Sequence, residues 1–248
     1  MTTYYKAVRP DGMDFFSGQV RWLPPVGEPL PEGGLIVRHP TAATPSFGDD
    51  AADYLSVSTV PTDCTGIRWP CRLALVEAAD AAVWTPNATA LPDKRAAVIW
   101  LVTDEVDAWQ ALGPQGREVA AIIDRVRMLT TDEWRQLTAA WGAAWGFVRS
   151  AVRGAARNAA RNAAWFAAWD AARDAAGDAA RNAARNAAWG AAWDAAWGAT
   201  HDATLATLVR DLITPKQYDL LMAPWRTVIG DIVSLPVVTT YPCCEVLA

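Results

Sequence analysis

The sequence predicts an α+β protein: a small β-rich N-terminal domain plus an Ala-rich helical bundle built from tetrapeptide repeats. Three observations carry this reading. Short alternating apolar runs punctuated by proline and glycine fill residues 1–130. A four-residue unit ending in Ala-Ala recurs from 139 to 208, as in Arg157-Asn158-Ala159-Ala160 and Trp169-Asp170-Ala171-Ala172. No proline stands between Pro114 and Pro215. Alanine has the highest helix propensity and arginine adds little penalty, so helix is the one credible conformation for the repeat. The expected domains are 1–130, β-rich or α+β; 131–213, the Ala/Trp/Arg tetrad helices; and 214–248, a short helix and an extended segment returning to the N-terminal domain.

Taken in order, residues 4–8 alternate and meet a turn at Arg9-Pro10-Asp11-Gly12. Further apolar runs lie at 20–23 and 35–37, separated by a Pro/Gly-rich loop. Residues 54–60 are β-prone, and Leu73 and Leu75, joined by Cys71, share one face of an alternating run. Residues 96–102 read equally as a buried strand or a short helix, and 119–128 are similarly ambiguous. Thr130-Thr131-Asp132-Glu133 has the composition of a helix start before Trp134. Leu205, Leu208, Val209 and Leu212 keep helical spacing. Thr214 then caps a second start with Pro215 at the first position, and Tyr218, Leu221 and Met222 form the apolar face. The stretch 228–247 is β-prone and is expected to edge the N-terminal sheet.

In the repeat, Trp pairs recur every 24 residues, alternating with arginine blocks. At about 100° per residue, each tetrad advances the pattern by roughly 40°, so an alanine stripe winds around a straight helix. Segments breaking near Gly154, Gly177 or Gly198 and packing antiparallel would bury it. In that arrangement Trp141, Trp145, Trp165, Trp169, Trp189, Trp193 and Trp197 fill the space between closely approaching alanine faces.

At 248 residues and 52% hydrophobic, the chain is long enough for a sizeable core. A formal net charge of -5 argues against generic nucleic-acid binding by the whole molecule. Neither a signal-type start nor an 18-residue apolar run is present, which leads to the expectation of a cytoplasmic protein without membrane contact. Cys64 and Cys71 are too widely spaced for a usual zinc pair, Cys243 and Cys244 are adjacent, and His39 and His201 lie far apart; no metal site or cofactor is expected. Phosphate-loop, dinucleotide and hydrolase motifs are absent.

The best case for polyanion binding is the block Arg149, Arg153, Arg157 and Arg161, four cations on one helix face with no acid before Asp170. Against it, the next block interleaves Asp170, Asp174 and Asp178 with arginine, the pattern of a polar seam. Nucleic acid therefore ranks behind a protein partner.

The run Tyr5-Lys6-Ala7-Val8-Arg9-Pro10-Asp11-Gly12, the stretch Tyr54-Leu55-Ser56-Val57-Ser58-Thr59-Val60-Pro61, and Cys64 with Trp69-Pro70-Cys71 together resemble a group of uncharacterised phage and actinobacterial proteins. These have a short N-terminal domain followed by an Ala/Trp/Arg helical region; the resemblance covers most of the chain and implies no activity. A weaker likeness is to ADP-ribosyltransferases, through Arg9, the Ser56, Ser58 and Thr59 strand and Glu77. It implies NAD binding and catalysis, although the Glu-x-Glu motif is missing. The resulting expectation is a phage-type, non-enzymatic interaction or accessory protein that self-associates through its Ala/Trp helices or binds an unknown protein.

Overall fold

In the computed structural model, six strands form one antiparallel sheet; the structure describes residues 2–42, 44–64, 68–80, 82–144, 189–232 and 235, and at 144 and 189–197 the backbone alone. The strands are β1 (Thr3–Val8), β2 (Leu35–Arg38), β3 (Leu55–Ser58), β4 (Arg72–Ala78), β5 (Lys94–Ala97) and β6 (Ile99–Val106). Their order is β2-β6-β4-β1-β3-β5. They belong to a unit that runs to Ala111, and a second unit begins at Leu112.

The order forces the sheet to curl. β5 and β6 are separated in sequence by Val98 alone, yet they stand four strand positions apart. Flat, those positions would be about 19 Å apart at the usual spacing, whereas two residue steps span about 7 Å at most. One bent strand therefore closes the sheet on itself, pairing Lys94 with Ser58 at one end and Ala78 with Trp100 further along. The ambiguous 96–102 stretch is thus strand, broken at the bend. Tyr4, Val8, Trp22, Val37, Leu55, Val57, Val76, Trp100 and Val102 fill the interior. Trp100 crosses it, donating from Nε1 to Leu55 O at 3.0 Å and meeting Tyr4 edge-on at 5.3 Å.

The second unit contains four α-helices among the described residues: α1 (Gly116–Arg127), α2 (Thr131–Ala144), α3 (Trp189–Leu208) and α4 (Pro215–Val228). Two capping boxes start helices here. Thr130 Oγ1 accepts from Glu133 N while Glu133 Oε2 accepts from Thr130 N, and Thr214 and Gln217 repeat the exchange before α4. Residues 198–207 of α3 are all buried, so this helix lies at the centre of its unit. Ile122, Val126, Trp134, Leu205, Leu221, Met222 and Trp225 make the main core around it.

The expected Ala-rich bundle built from tetrapeptide repeats is corrected by this arrangement. The described residues form a six-stranded antiparallel sheet with four helices, a mixed α+β architecture. The helical core is made by bulky side chains that mostly lie outside the repeat. The reason is physical: the alanine stripe winds, and a methyl group buries little area beside a leucine or an indole. Gly198, expected as a break, lies inside α3. There a Cβ would stand 2.1 Å from Trp141 Cζ2, so the glycine admits an indole against the helix backbone. The unit boundary falls before α1 rather than near 130, because Ile122 and Val126 pack with Leu205 and Trp225. Residues 145–188, which hold most tetrads, lie outside the described residues, as do 233–234 and 236–247 of the expected returning segment; of its described part, Val228 ends α4 and Ile229, Ile232 and Leu235 pack on the helical core.

Candidate functional site

β1 and β3 are the weakest seam of the closed sheet. They share one paired position, Tyr5 with Ser58, whereas β1 and β4 pair from Thr3 with Glu77 to Val8 with Arg72. Beyond that point the backbone polar groups need other partners. Lys6, on the same side of β1 as the interior residues Tyr4 and Val8, donates from Nζ to Ser56 O at 2.9 Å. The seam opens into a cleft of about 730 Å³. Tyr5, Lys6 and Ala7 line one side and Ser56, Val57 and Ser58 the other, with Phe15, Phe16 and Trp22 from the 14–22 loop.

Asp14 holds that loop. Its carboxylate accepts from the N–H groups of Phe16, Ser17 and Val20 at 3.0, 2.7 and 3.1 Å, and from the Ser17 hydroxyl at 2.7 Å. Burial alone would raise this carboxyl, but the Ser17 N–H, the Ser17 hydroxyl, the Val20 N–H and the Lys6 charge outweigh it and hold the group below the usual carboxylate range. Asp14→Ala orphans the N–H and hydroxyl donors and should cost about 2 kcal/mol. The check is a urea titration of the variant; a loss below about 0.5 kcal/mol would show that the loop stands without this knot.

The charges around the cleft do not balance. Lys6, Lys94 and Arg68 line it, and Asp14, already engaged by four donors, is the single carboxylate lining it among the described residues. Lys94 Nζ donates to Ser58 Oγ at 2.9 Å, and Ser58 Oγ in turn donates to Asp63 O at 2.9 Å. Neither lysine forms an ion pair among the described residues. Lys6 is half-buried, and its Nζ lies 5.0 Å from the Trp22 ring centre. Burial first and the Lys94 charge second bring its ammonium from 10.5 down to about 8. Burial lowers Lys94 as well, against upward pulls from Cys64 and Asp63. Burial and a hydrogen bond with Asp93 push the Asp63 carboxyl up, against a downward pull from the Lys94 charge. Trp22 is fully buried, and its Nε1 has no hydrogen-bond partner among the described residues.

The residues singled out for catalysis are not brought together. Arg9 follows β1 and pairs with Asp11 at 2.7 Å, whereas Glu77 sits opposite Thr3, at the other end of the same strand. Thr59 Oγ1 is bound to Asp93 at 2.9 Å. Ser56 and Ser58 do line the cleft, Ser56 through its carbonyl and Ser58 as the support of Lys94. Arg149, Arg153, Arg157 and Arg161, with Trp145, Trp165 and Trp169, lie outside the described residues, as do the side chains of Trp189, Trp193 and Trp197. Trp141 is buried against Leu137 and Ala199 of its own chain. His39 lines the cleft and accepts from Ala42 N at 2.8 Å through Nδ1, while His201 belongs to the helical unit beside Asp202. No group able to hold a metal ion occurs among the described residues, and Cys64 and Cys71 are buried free thiols. No helix among them is long and apolar enough to cross a membrane.

No family model, curated protein or solved structure matches the chain. The site therefore rests on its own geometry.

Lys6, Lys94 and Trp22 were not among the candidate residues, although one signal in the sequence marks the lysines. Of twenty-two basic residues only three are lysine, namely Lys6, Lys94 and Lys216. Two of these three converge on one cleft. Arginine serves elsewhere and stays charged in any surroundings, whereas lysine gives up its proton when desolvated.

Proposed function

We propose that the N-terminal unit is a binding module, not an enzyme, and that its cleft takes a small organic anion carrying a carboxylate or phosphate. The observation that carries this is the pair Lys6 and Lys94, two ammonium groups that line one cavity without an ion-pair partner among the described residues. Such groups are costly in the free protein, and an anion between them would offset that cost. The unpartnered Trp22 N–H adds a donor, and 86%-exposed Phe16 offers an apolar surface at the cleft for the rest of the ligand. The volume suits a small organic ligand, for which sites of roughly 300–1,000 Å³ are usual. Self-association through the tetrad helices remains a proposal from sequence, while Trp141 already has its partners within the chain.

Calorimetric titration with inorganic phosphate tests the reading. Binding is expected at neutral pH and should weaken as pH rises through about 8, where Lys6 loses its charge. Affinity that survives Lys6→Met combined with Lys94→Met would overturn it.

A further inference from the structure

We infer that Lys6 is a covalent attachment point, its Nζ condensing reversibly with the carbonyl of a small oxo acid whose carboxylate is held by Lys94; this rests on the anion-binding reading of the same cleft. Three features of the cleft support it. Lys6 Nζ lies in the cleft, where among the described residues it makes one hydrogen bond, to Ser56 O at 2.9 Å, and no ion pair, so the nitrogen can approach a carbonyl carbon without first breaking one. Lys94 is carried by β5, the strand beside β3, and is fixed on Ser58 Oγ, so that it supplies a second cation for the acid group of the same ligand. Lysine also stands at both positions in a chain with only one other lysine, Lys216, and a guanidinium could provide the charge but not the chemistry.

The step balances without an oxidant or a reductant. The neutral amine of Lys6 attacks the carbonyl carbon, forming the C–N bond as the carbonyl π pair moves to oxygen. Proton transfer from nitrogen to oxygen gives a carbinolamine. The hydroxyl group and the second nitrogen proton then leave as one water, producing a C=N bond, and hydrolysis reverses every step. Lowering of the Lys6 ammonium to about 8 raises the share of reactive amine near neutral pH. Cys64 does not compete, since its thiol is buried and pushed up mainly by that burial.

The test uses the full chain, glyoxylate as the probe, and sodium cyanoborohydride to reduce any imine to a stable amine for peptide mass spectrometry. Lys216, exposed at the start of α4, is the internal control. Labelling should be at least about ten-fold faster at Lys6 than at Lys216, as expected for a desolvated amine, and excess phosphate should suppress it at Lys6 alone. Equal labelling of the two, or labelling of Lys6 that phosphate leaves untouched, would overturn the inference. Lys6→Arg separates the two readings: it should keep phosphate binding and lose the Lys6 adduct. Phosphate binding to the native protein without a Lys6 adduct sinks the covalent step only, whereas failure of phosphate to bind sinks the anion-binding reading itself.

Discussion

Gly198→Ala is expected to lower the stability of the helical unit by about 3 kcal/mol, a large effect for a single methyl group. In most helix interiors the same change is favourable, because glycine has about 1 kcal/mol less helix propensity than alanine. Here the added Cβ would stand 2.1 and 2.2 Å from Cζ2 and Cε2 of Trp141, inside the ring's own volume. The ring is 9% exposed and sits between Leu137 and Ala199, so it has little room to withdraw. Urea unfolding followed by the helical circular-dichroism signal measures the loss. A second substitution, Trp141→Leu, should recover part of it, giving a coupling energy of opposite sign in the double-mutant cycle. Equal stability of Gly198→Ala and the parent would mean that α2 and α3 do not pack in this register.

Lys6→Met is expected to do two things that rarely go together: make the N-terminal unit more stable at neutral pH and reduce phosphate affinity at least about ten-fold. The first follows from exchanging a partly desolvated ammonium, without an ion pair among the described residues, for an apolar chain of similar length. The sign of its pH dependence follows from the direction of the shift. The ammonium is brought from 10.5 to about 8 in the folded state by burial and by Lys94, against smaller upward pulls from Cys64 and Asp14. Between those values the unfolded chain binds the extra proton, so stability rises with pH across that window and the penalty is complete below about 8. The whole span is on the order of 2 kcal/mol after allowance for partial exposure. Thermal unfolding from pH 7 to 11 should show the parent gaining on the variant as pH rises. A variant that is less stable than the parent at pH 7 would make Lys6 a structural strut for Ser56 and remove the main support for a binding site.

Local signals in this chain were legible and distant ones were not. The capping boxes at Thr130 and Thr214 involve residues three apart, so composition alone points to them. Alternation marked Leu73 and Leu75 as one apolar face, but Leu75 is only half-buried, and Ala74 and Val76 on the other face of β4 join the interior cluster. The stretch 96–102 stayed ambiguous because its fate depends on pairing with β3, β4 and β2, which lie far away in sequence. The bundle expectation failed because it assumed that a winding alanine stripe would itself form the core, whereas Leu205, Leu221 and Trp225 do so. At the site, Arg9 and Glu77 were joined by analogy and are separated by the length of β1. Lys6 and Lys94 lie near opposite ends of the unit's sequence and approach only through the open seam between β1 and β3. Their rarity among the basic residues was the one trace of that approach visible beforehand.

The bend at Val98 also dictates when the N-terminal unit is able to assemble during synthesis. β2 has β6 as its partner, and β3 has β5 on its outer side, so both wait for the single stretch 94–106 that supplies the two. A nascent chain ending anywhere before that stretch carries unmatched strand edges and an interior without Trp100. β1 is able to pair with β4 and β3 before that stretch emerges, but the sheet closes on itself, and the interior gains Trp100, only once 94–106 has left the ribosome.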